Sequence, residues 1–472
     1  MANYSHALTH RVFGVVRDIV TAADQQAFVI GGFVRDMLLE RQSKDIDIVV
    51  VGSGIELARR VGERFRHAPL TVFRNFGTAM LRLNDAEVEF VGARRESYRA
   101  DSRNPTVEDG TLEDDQNRRD FTVNALALSL REETFGDLVD PFDGVRDLQA
   151  RILRTPLTPR ATFSDDPLRM MRAVRFASQL NFRIEEMTYN GIVESAERIE
   201  IVSMERITEE LNKIILSPRP SVGLKLMERT GLMRYILPEI QALKGVEKVG
   251  THAHKDNFYH TMEVVDALAS KSDNLWLRWA ALLHDIGKPR TKRYDPHGGW
   301  TFHNHDWVGQ KMTPQVFARL RLPQDDRLRY VQKLVSLHMR PIILSEDIVT
   351  DSAVRRLLCD AGDDIDDLML LCEADVTSKN EQRAERYLRN FKIVRRKLRE
   401  IEEKDHVRNF QPPITGDIIM QRFNLRPSPV VGILKAAIKD AILDGIIHND
   451  YDEAYQFMLR KAAELGLPTD PQ

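Results

Sequence analysis

Residues 29–51 read VIGGFVRDMLLERQSKDIDIVVV. An apolar strand runs into Gly31-Gly32, a helix opens carrying Arg35 and Asp36, and Asp45-Ile46-Asp47 leads into a second apolar strand. Glycines at such a turn let backbone N–H groups approach a phosphate closely, because no Cβ intervenes. Side chains alternate faces along a strand, so Asp45 and Asp47 point one way and Ile46 points the other, into a core. Two carboxylates side by side are hard oxygen donors of the kind that Mg²⁺ takes together with phosphate oxygens. Paired ions of this kind suit phosphoryl-type transfer. A DxD at a strand start is ordinarily a solvated strand end, and a GG turn before a helix is common; their succession carries the reading. Gly52-Ser53-Gly54 imitates a dinucleotide fingerprint, but Leu57 stands where the third glycine belongs.

Outward from this stretch, short β-rich runs continue through 70–83, with a turn at Asn75 to Gly77, and through 88–91. After Pro159 nearly every segment has helical periodicity, apart from a small hairpin expected at 294–302 around Pro296-His297-Gly298-Gly299. The fold class is therefore α+β: a small mixed-sheet head, then an all-α neck, body and tail. The expected domains are 1–155, 156–225, 226–380 and 381–472. Residues 95–117 are polar with almost no apolar periodicity, and they read as a long functional loop. The 472 residues are 42% hydrophobic and 29% charged with a net charge of −3, which excludes a disordered chain and a global field attracting nucleic acid. There is no run of some 18 apolar residues for a membrane span. The N-terminus lacks an apolar signal core, and two distant cysteines give no disulfide framework. A reduced, cytoplasmic protein without membrane association is expected.

GGFVRD followed by DID resembles the signature of the polymerase-β-like nucleotidyltransferases. More narrowly, it resembles the class II tRNA nucleotidyltransferases, the CCA-adding enzymes and their bacterial poly(A) polymerase relatives. The resemblance continues in order through Arg118-Arg119-Asp120-Phe121-Thr122-Val123-Asn124-Ala125, Asp140-Pro141-Phe142-Asp143-Gly144, Asp165-Asp166-Pro167-Leu168-Arg169-Met170-Met171-Arg172, and Glu205-Arg206-Ile207-Thr208-Glu209-Glu210. It implies that Asp45 and Asp47 hold Mg²⁺, with Glu89 as third carboxylate. Gly31, Gly32 and Arg35 would meet the incoming nucleotide, Arg119 its triphosphate, and Asp120 and Asn124 its ribose. The implied chemistry is attack of an RNA 3′-hydroxyl on the α-phosphate of CTP or ATP, with pyrophosphate released and tRNA as the macromolecular partner. No obligate protein partner is evident.

Ser164 reads as a helix start that places Asp166, Arg169 and Arg172 on one face. A carboxylate beside a guanidinium can hydrogen-bond the Watson–Crick edges of both C and A, whereas an isolated DxxR is ordinarily a surface ion pair. The resemblance favours nucleotide selection, although Asp165 replaces the family's usual Glu. Residues 95–117 occupy the place of the family's flexible specificity loop at full length, whereas members that add only CC tend to have it shortened; this favours complete CCA addition, with a poly(A) polymerase and CC-only or A-only addition as the alternatives.

Eight of the thirteen histidines lie between His252 and His338. His284-Asp285 follows an apolar helical run, with His260, His305, His338 and Asp375 at wide spacing, a donor set suited to Mn, Ni, Co or Zn. His284-Asp285-Ile286-Gly287-Lys288-Pro289 resembles the HD phosphohydrolase signature. That implies a metal held by His260, His284, Asp285 and Asp375, with His305 and His338 like the extra ligands of two-metal members. The alternatives are a structural remnant or, for the whole chain, an HD hydrolase acting on RNA or nucleotide phosphates. His252, His254, His297 and His303 read as surface or hairpin residues. Finally, Arg383, Arg386, Arg389 and Lys392 recur every third residue and give one helix a basic flank for RNA phosphates, while Tyr387 and Phe391 read as core.

Overall fold

The computed structural model describes residues 2–65, 68–97, 106–246, 248–249, 252–253, 256–297, 299–346, 350–376, 381–405, 408 and 411–468. Two compact units are present, Met1–Pro238 and Glu239–Gln472. The uninterrupted helix Pro220–Arg229 spans the 225/226 position at which the sequence reading ends the neck.

The first unit begins with a seven-stranded sheet. Five strands follow in chain order: β1 (Ala27–Ile30), β2 (Asp45–Val50), β3 (Leu70–Phe73), β4 (Thr78–Arg82) and β5 (Glu87–Gly92). They lie in the order β3-β4-β5-β2-β1, continued by the strands Ala127–Ser129 and Leu138–Val139. β2 is parallel to β5, with Asp47 opposite Glu89, and antiparallel to β1. Ile46, Ile48 and Val50 of β2 join Val88 and Phe90 of β5 in a core shared with Val12, Val16, Leu57 and Val61 from two helices. Period-2 alternation therefore turns Asp45, Asp47, Glu87 and Glu89 to the opposite face. Gly54 explains the false dinucleotide fingerprint: a Cβ there would lie 2.7 Å from the Gly92 nitrogen, so the glycine serves helix-on-strand packing.

The expected loop at 95–117 is largely structured. Strands Arg94–Ser97 and Thr106–Asp109 pair antiparallel, and Leu112–Asn117 is a helix whose Thr111 and Asp114 form a reciprocal capping box. Within that stretch, 98–105 lie outside the described residues. The helix start at Ser164 is also corrected. Ser164 lies within the helix Pro159–Asp165, Asp166 is extended (φ −140°, ψ 101°), and a new helix runs Leu168–Leu180. Pro167 is the cause, because its ring disfavours the helical region for the residue before it.

The second unit is almost all helix, with the expected hairpin formed by Arg293–Asp295 and Gly299–Thr301. Every residue from Leu277 to Leu283 in helix Leu275–Leu283 is buried, so its C-terminal end delivers His284 and Asp285 into the interior. Helix His305–Arg319 contains Pro314, which cannot donate to the Gln310 carbonyl; Gln332 Nε2 donates to it instead, at 3.2 Å. Among the described residues no helix is long and apolar enough to cross a membrane.

Candidate active sites

A cleft of ≈ 810 Å³ in the first unit is lined by Asp45, Asp47 and Glu89 from the sheet, and by Arg119, Asp166 and Arg169 among others. Asp47 and Glu89 are both pushed above the usual carboxylate range. Burial is the main cause in each; Arg119 opposes it at Asp47 while Asp45 adds to it, and Asp47 adds to it at Glu89. Carboxylates so placed call for a cation between them. They are not closed into a cage: among the described residues, tight clusters of potential metal ligands occur only in the second unit. An open carboxylate face fits Mg²⁺, which keeps water and substrate phosphate in its shell.

Gly31 (φ +82°) shapes the floor of this cleft. A Cβ there would lie 2.7 Å from Arg119 Nη1 and 3.4 Å from Asp47 Oδ2, so only glycine allows the strand-to-helix turn beside both. Gly32 opens the helix that follows, Gly32–Leu38, and Arg35 lies within it. Arg35 donates to Asn124 Oδ1 at 2.7 Å and to both oxygens of Asp36. Asn124 donates to Asp120 Oδ1 at 2.9 Å, and Arg172 donates to Asp120 Oδ2 at 2.7 Å. Four expected nucleotide-site residues thus form one network, and Arg172 is committed to Asp120 rather than to the face of Asp166 and Arg169. Burial alone would raise the Asp120 carboxyl, yet Arg172 and Asn124 hold it at about 2. A lowered carboxylate contributes stability that is present above its unfolded value of 3.8 and lost as pH falls through about 2. In Asp120→Asn, the acid limb of a stability–pH profile between those values should flatten by about 1–2 kcal/mol, allowing for the solvent around part-exposed Arg172.

The ion pair expected of an isolated DxxR is not made. Asp166 accepts from the Leu168 N–H at 3.1 Å and from Arg206 at 2.9 Å. Arg169 donates to the Thr162 carbonyl at 3.1 Å and to the Arg118 carbonyl at 2.5 Å. Each is fixed by other groups while keeping hydrogen-bonding capacity for a third party. Two residues escaped the sequence reading. Arg206 lies in the Glu205–Glu210 motif without an assigned role, and Asp115 is completely buried in a stretch read as loop.

In the second unit all six expected residues come together, five of them buried and Asp375 nearly so. His260 meets Asp375 Oδ1 at 2.7 Å. His284 Nε2 lies 3.3 Å from Asp285 Oδ2 and 3.4 Å from Asp375 Oδ1. Across Asp285, the Nε2 atoms of His305 and His338 lie 3.4 and 3.9 Å from Oδ1. Asp285 therefore joins two ligand groups, His260/His284 and His305/His338. Gly287 permits this closeness, since a Cβ there would lie 2.1 Å from the His305 carbonyl.

Protons explain what the cluster lacks. The Nδ1 atoms of His284, His305 and His338 lie 2.7–2.8 Å from the carbonyls of Ala281, Phe302 and Val335. A carbonyl only accepts, so each Nδ1 carries a proton; a neutral His305 or His338 then presents a lone pair at Nε2, and His284 does so once a cation replaces its second proton. Burial pushes His305 down and His338 down to about 4, so both rings are neutral, with their Nε2 atoms 3.2 Å apart. Two lone pairs face each other there. His284 Nε2 and Asp285 Oδ1 also have no hydrogen-bond partner among the described residues. A divalent cation is the group this donor set fits. His297 and His303 are exposed, as expected; His254 lies outside the described residues, and His252 is in a short strand.

Arg386, Arg389 and Lys392 are exposed on helix Glu381–Asp405, while Tyr387 and Phe391 are buried. Arg383 belongs to the same helix, its side chain outside the described residues.

Comparison with known proteins covers the segments that hold both candidate sites. Residues 27–154 match the "Poly A polymerase head domain" family, 181–244 the "Probable RNA and SrmB- binding site of polymerase A" and 257–380 the "HD domain". The chain is 35% identical to an A-adding tRNA nucleotidyltransferase of Deinococcus radiodurans over 75% of its own length and 80% of the relative's. It is 31% identical to a CC-adding tRNA nucleotidyltransferase of Thermus thermophilus over 95% and 97%. With the Multifunctional CCA protein of Ectopseudomonas mendocina it shares 34% over 64% and 71%. A solved CCA-adding enzyme with ATP superposes with a TM-score of 0.64 at 22% identity, covering 98% of this chain and 99% of the other, a likeness of fold. Asp45, Asp47 and Glu89 lie within the head-domain match and the histidine–aspartate cluster within the HD-domain match, and the chain belongs to the tRNA nucleotidyltransferase family.

Proposed function

We propose that this enzyme adds CCA to the 3′ end of tRNA without a template, from CTP and ATP, with pyrophosphate released. One observation carries the reading: a single cleft holds a cation-demanding carboxylate face and, within reach of it, Asp166 and Arg169 anchored separately from each other. Asp45, Asp47 and Glu89 would hold Mg²⁺, which supplies Lewis-acid activation of the α-phosphate and of the attacking hydroxyl. Arg119, beside Gly31 and Asp47, would hold the triphosphate. Arg35, Asn124, Asp120 and Arg172 form a rigid wall for the ribose. Asp166 accepts from, and Arg169 donates to, the base edge; C and A share an exocyclic amino group, whereas U and G would leave one partner unmatched.

A narrower reading has a specific observation behind it, because relatives of comparable identity carry the names A-adding and CC-adding. Primer extension on tRNA ending at the discriminator base decides between them. CC from CTP alone and one final A with both nucleotides is the expected result. A stop at CC, or a requirement for a CC end, would mark a partial enzyme, and a long A ladder a poly(A) polymerase.

The HD cluster supports a second activity, hydrolysis of phosphomonoesters or 2′,3′-cyclic phosphodiesters with Mn, Ni, Co or Zn held by His260, His284, Asp285 and Asp375, and by His305 and His338 beyond Asp285. The basic flank Arg383, Arg386, Arg389 and Lys392 is assigned to tRNA phosphates.

A further inference from the structure

We propose that Asp115 is a positioning residue that ties the triphosphate-facing Arg119 to the base-reading Arg169, so that nucleotide affinity and base selection depend on one buried carboxylate. The inference rests on the roles given above to Arg119 and Arg169.

Asp115 is completely buried in the short helix Leu112–Asn117. Its two oxygens are divided between neighbours in sequence. Oδ2 accepts from Arg119 Nε and Nη2, both at 3.1 Å, and Oδ1 accepts from Arg118 Nε at 2.9 Å. Two donors of the Arg119 fork are thereby fixed. The third nitrogen, Nη1, is the one that lies against Gly31 on the cleft floor. Arg118 in turn supplies the main-chain carbonyl to which Arg169 donates. Asp115 thus touches no expected substrate position, yet it holds one arginine by its side chain and, through Arg118, the carbonyl that orients the other.

The helix that carries it is itself fastened. Gln116 Nε2 donates to the Ala125 carbonyl at 2.7 Å and to the Val139 carbonyl at 3.2 Å, and Thr111 caps the first turn. Burial would raise the Asp115 carboxyl, but the charges of Arg119 and Arg118 overcome it and hold it below the usual range. The carboxylate is therefore ionised at working pH and binds both guanidinia by charge-assisted bonds. A buried carboxylate paired with arginines often serves stability alone. Here both of its arginines line the cleft, and Arg118 also supplies the carbonyl to which Arg169 donates.

The test is extension of tRNA by the full-length enzyme, with KM for CTP and ATP and the ratio of kcat/KM for CTP over UTP. That ratio does not depend on the active fraction of a preparation, so simple destabilisation cannot move it. Asp115→Asn should raise both KM values and lower the ratio, each by roughly tenfold, the scale of a lost charge-assisted bond. Thr111→Val removes the cap of the same helix and should lower Tm while leaving KM and ratio within about twofold. The proposal is overturned if Asp115→Asn leaves both within about twofold of wild type, or if Thr111→Val shifts them as far. Should Asp115→Asn not fold, Arg118→Met tests the second arm. It should lower the ratio by roughly threefold or more, and an unchanged ratio overturns the coupling. Wild-type extension is read in the same assay. Its absence would remove the transfer reading itself, whereas normal wild-type extension with an unaltered Asp115→Asn enzyme would remove only this inference.

Discussion

Asp47→Asn should cost the transfer reaction roughly 10³-fold or more while leaving the metal-free protein as stable as wild type or more so. The two effects share one cause. Asp47 is pushed up chiefly by burial, with Asp45 adding and Arg119 opposing. A carboxyl whose folded value is raised contributes stability in acid, and loses it as pH rises through the folded value. At pH 7 without metal, the ionised group is therefore a charge that the fold tolerates at a cost, and a neutral amide of the same shape relieves it. The same carboxylate opposite Glu89 in the β2–β5 register is what a bound cation requires. Single-turnover extension, with melting at pH 7 in EDTA, reads both halves. Extension within about tenfold of wild type would remove Asp47 from the reaction. A clear drop in Tm would turn the loss of activity into a folding defect.

This site was legible from spacing because a DxD entering an apolar strand needs only the alternation of the strand to orient both carboxylates. Base selection was half legible. Asp166 and Arg169 do line one cleft, but not as neighbours on one helix, because Pro167 forces Asp166 out of helical geometry. Their partners, Arg206 and the Thr162 and Arg118 carbonyls, are tertiary and leave no periodic trace. Asp115 was missed for another reason. In a run of polar residues nothing marks the one that is buried, and the usable local signal was Thr111 with Asp114 three residues on, a helix start inside an apparent loop. Tyr387 and Phe391 are buried as their spacing implies, since four-residue spacing against a basic flank identifies a buried face. The residues of the HD cluster were legible as residue types. Their joining through Asp285 was not, because it depends on the approach of two helices at Gly287.

His284→Ala should strip the second unit of its bound divalent metal and reduce phosphoester hydrolysis by roughly 10³-fold, while tRNA extension is retained, since the transfer residues all lie in Met1–Pro238. The pH behaviour of the metal-free protein gives an independent check. Burial alone would lower His284, but Asp285 and Asp375 overcome it and hold the ring up at about 10. A raised histidine contributes stability that is fully present below its unfolded value of 6.5 and is lost as pH rises through about 10. Metal-free wild type should therefore lose Tm progressively across that window. In His284→Ala that slope should be absent and Tm already low at pH 6, because Asp285 and Asp375 remain buried with one counter-charge fewer. Loading with Mn²⁺ or Zn²⁺ should flatten the wild-type slope, because the ring then serves as a neutral ligand and the cation supplies the charge that its proton carried. Wild type purified without bound metal and unable to take it up, or metal retained in full by His284→Ala, would leave the cluster a buried charge network with no part in hydrolysis.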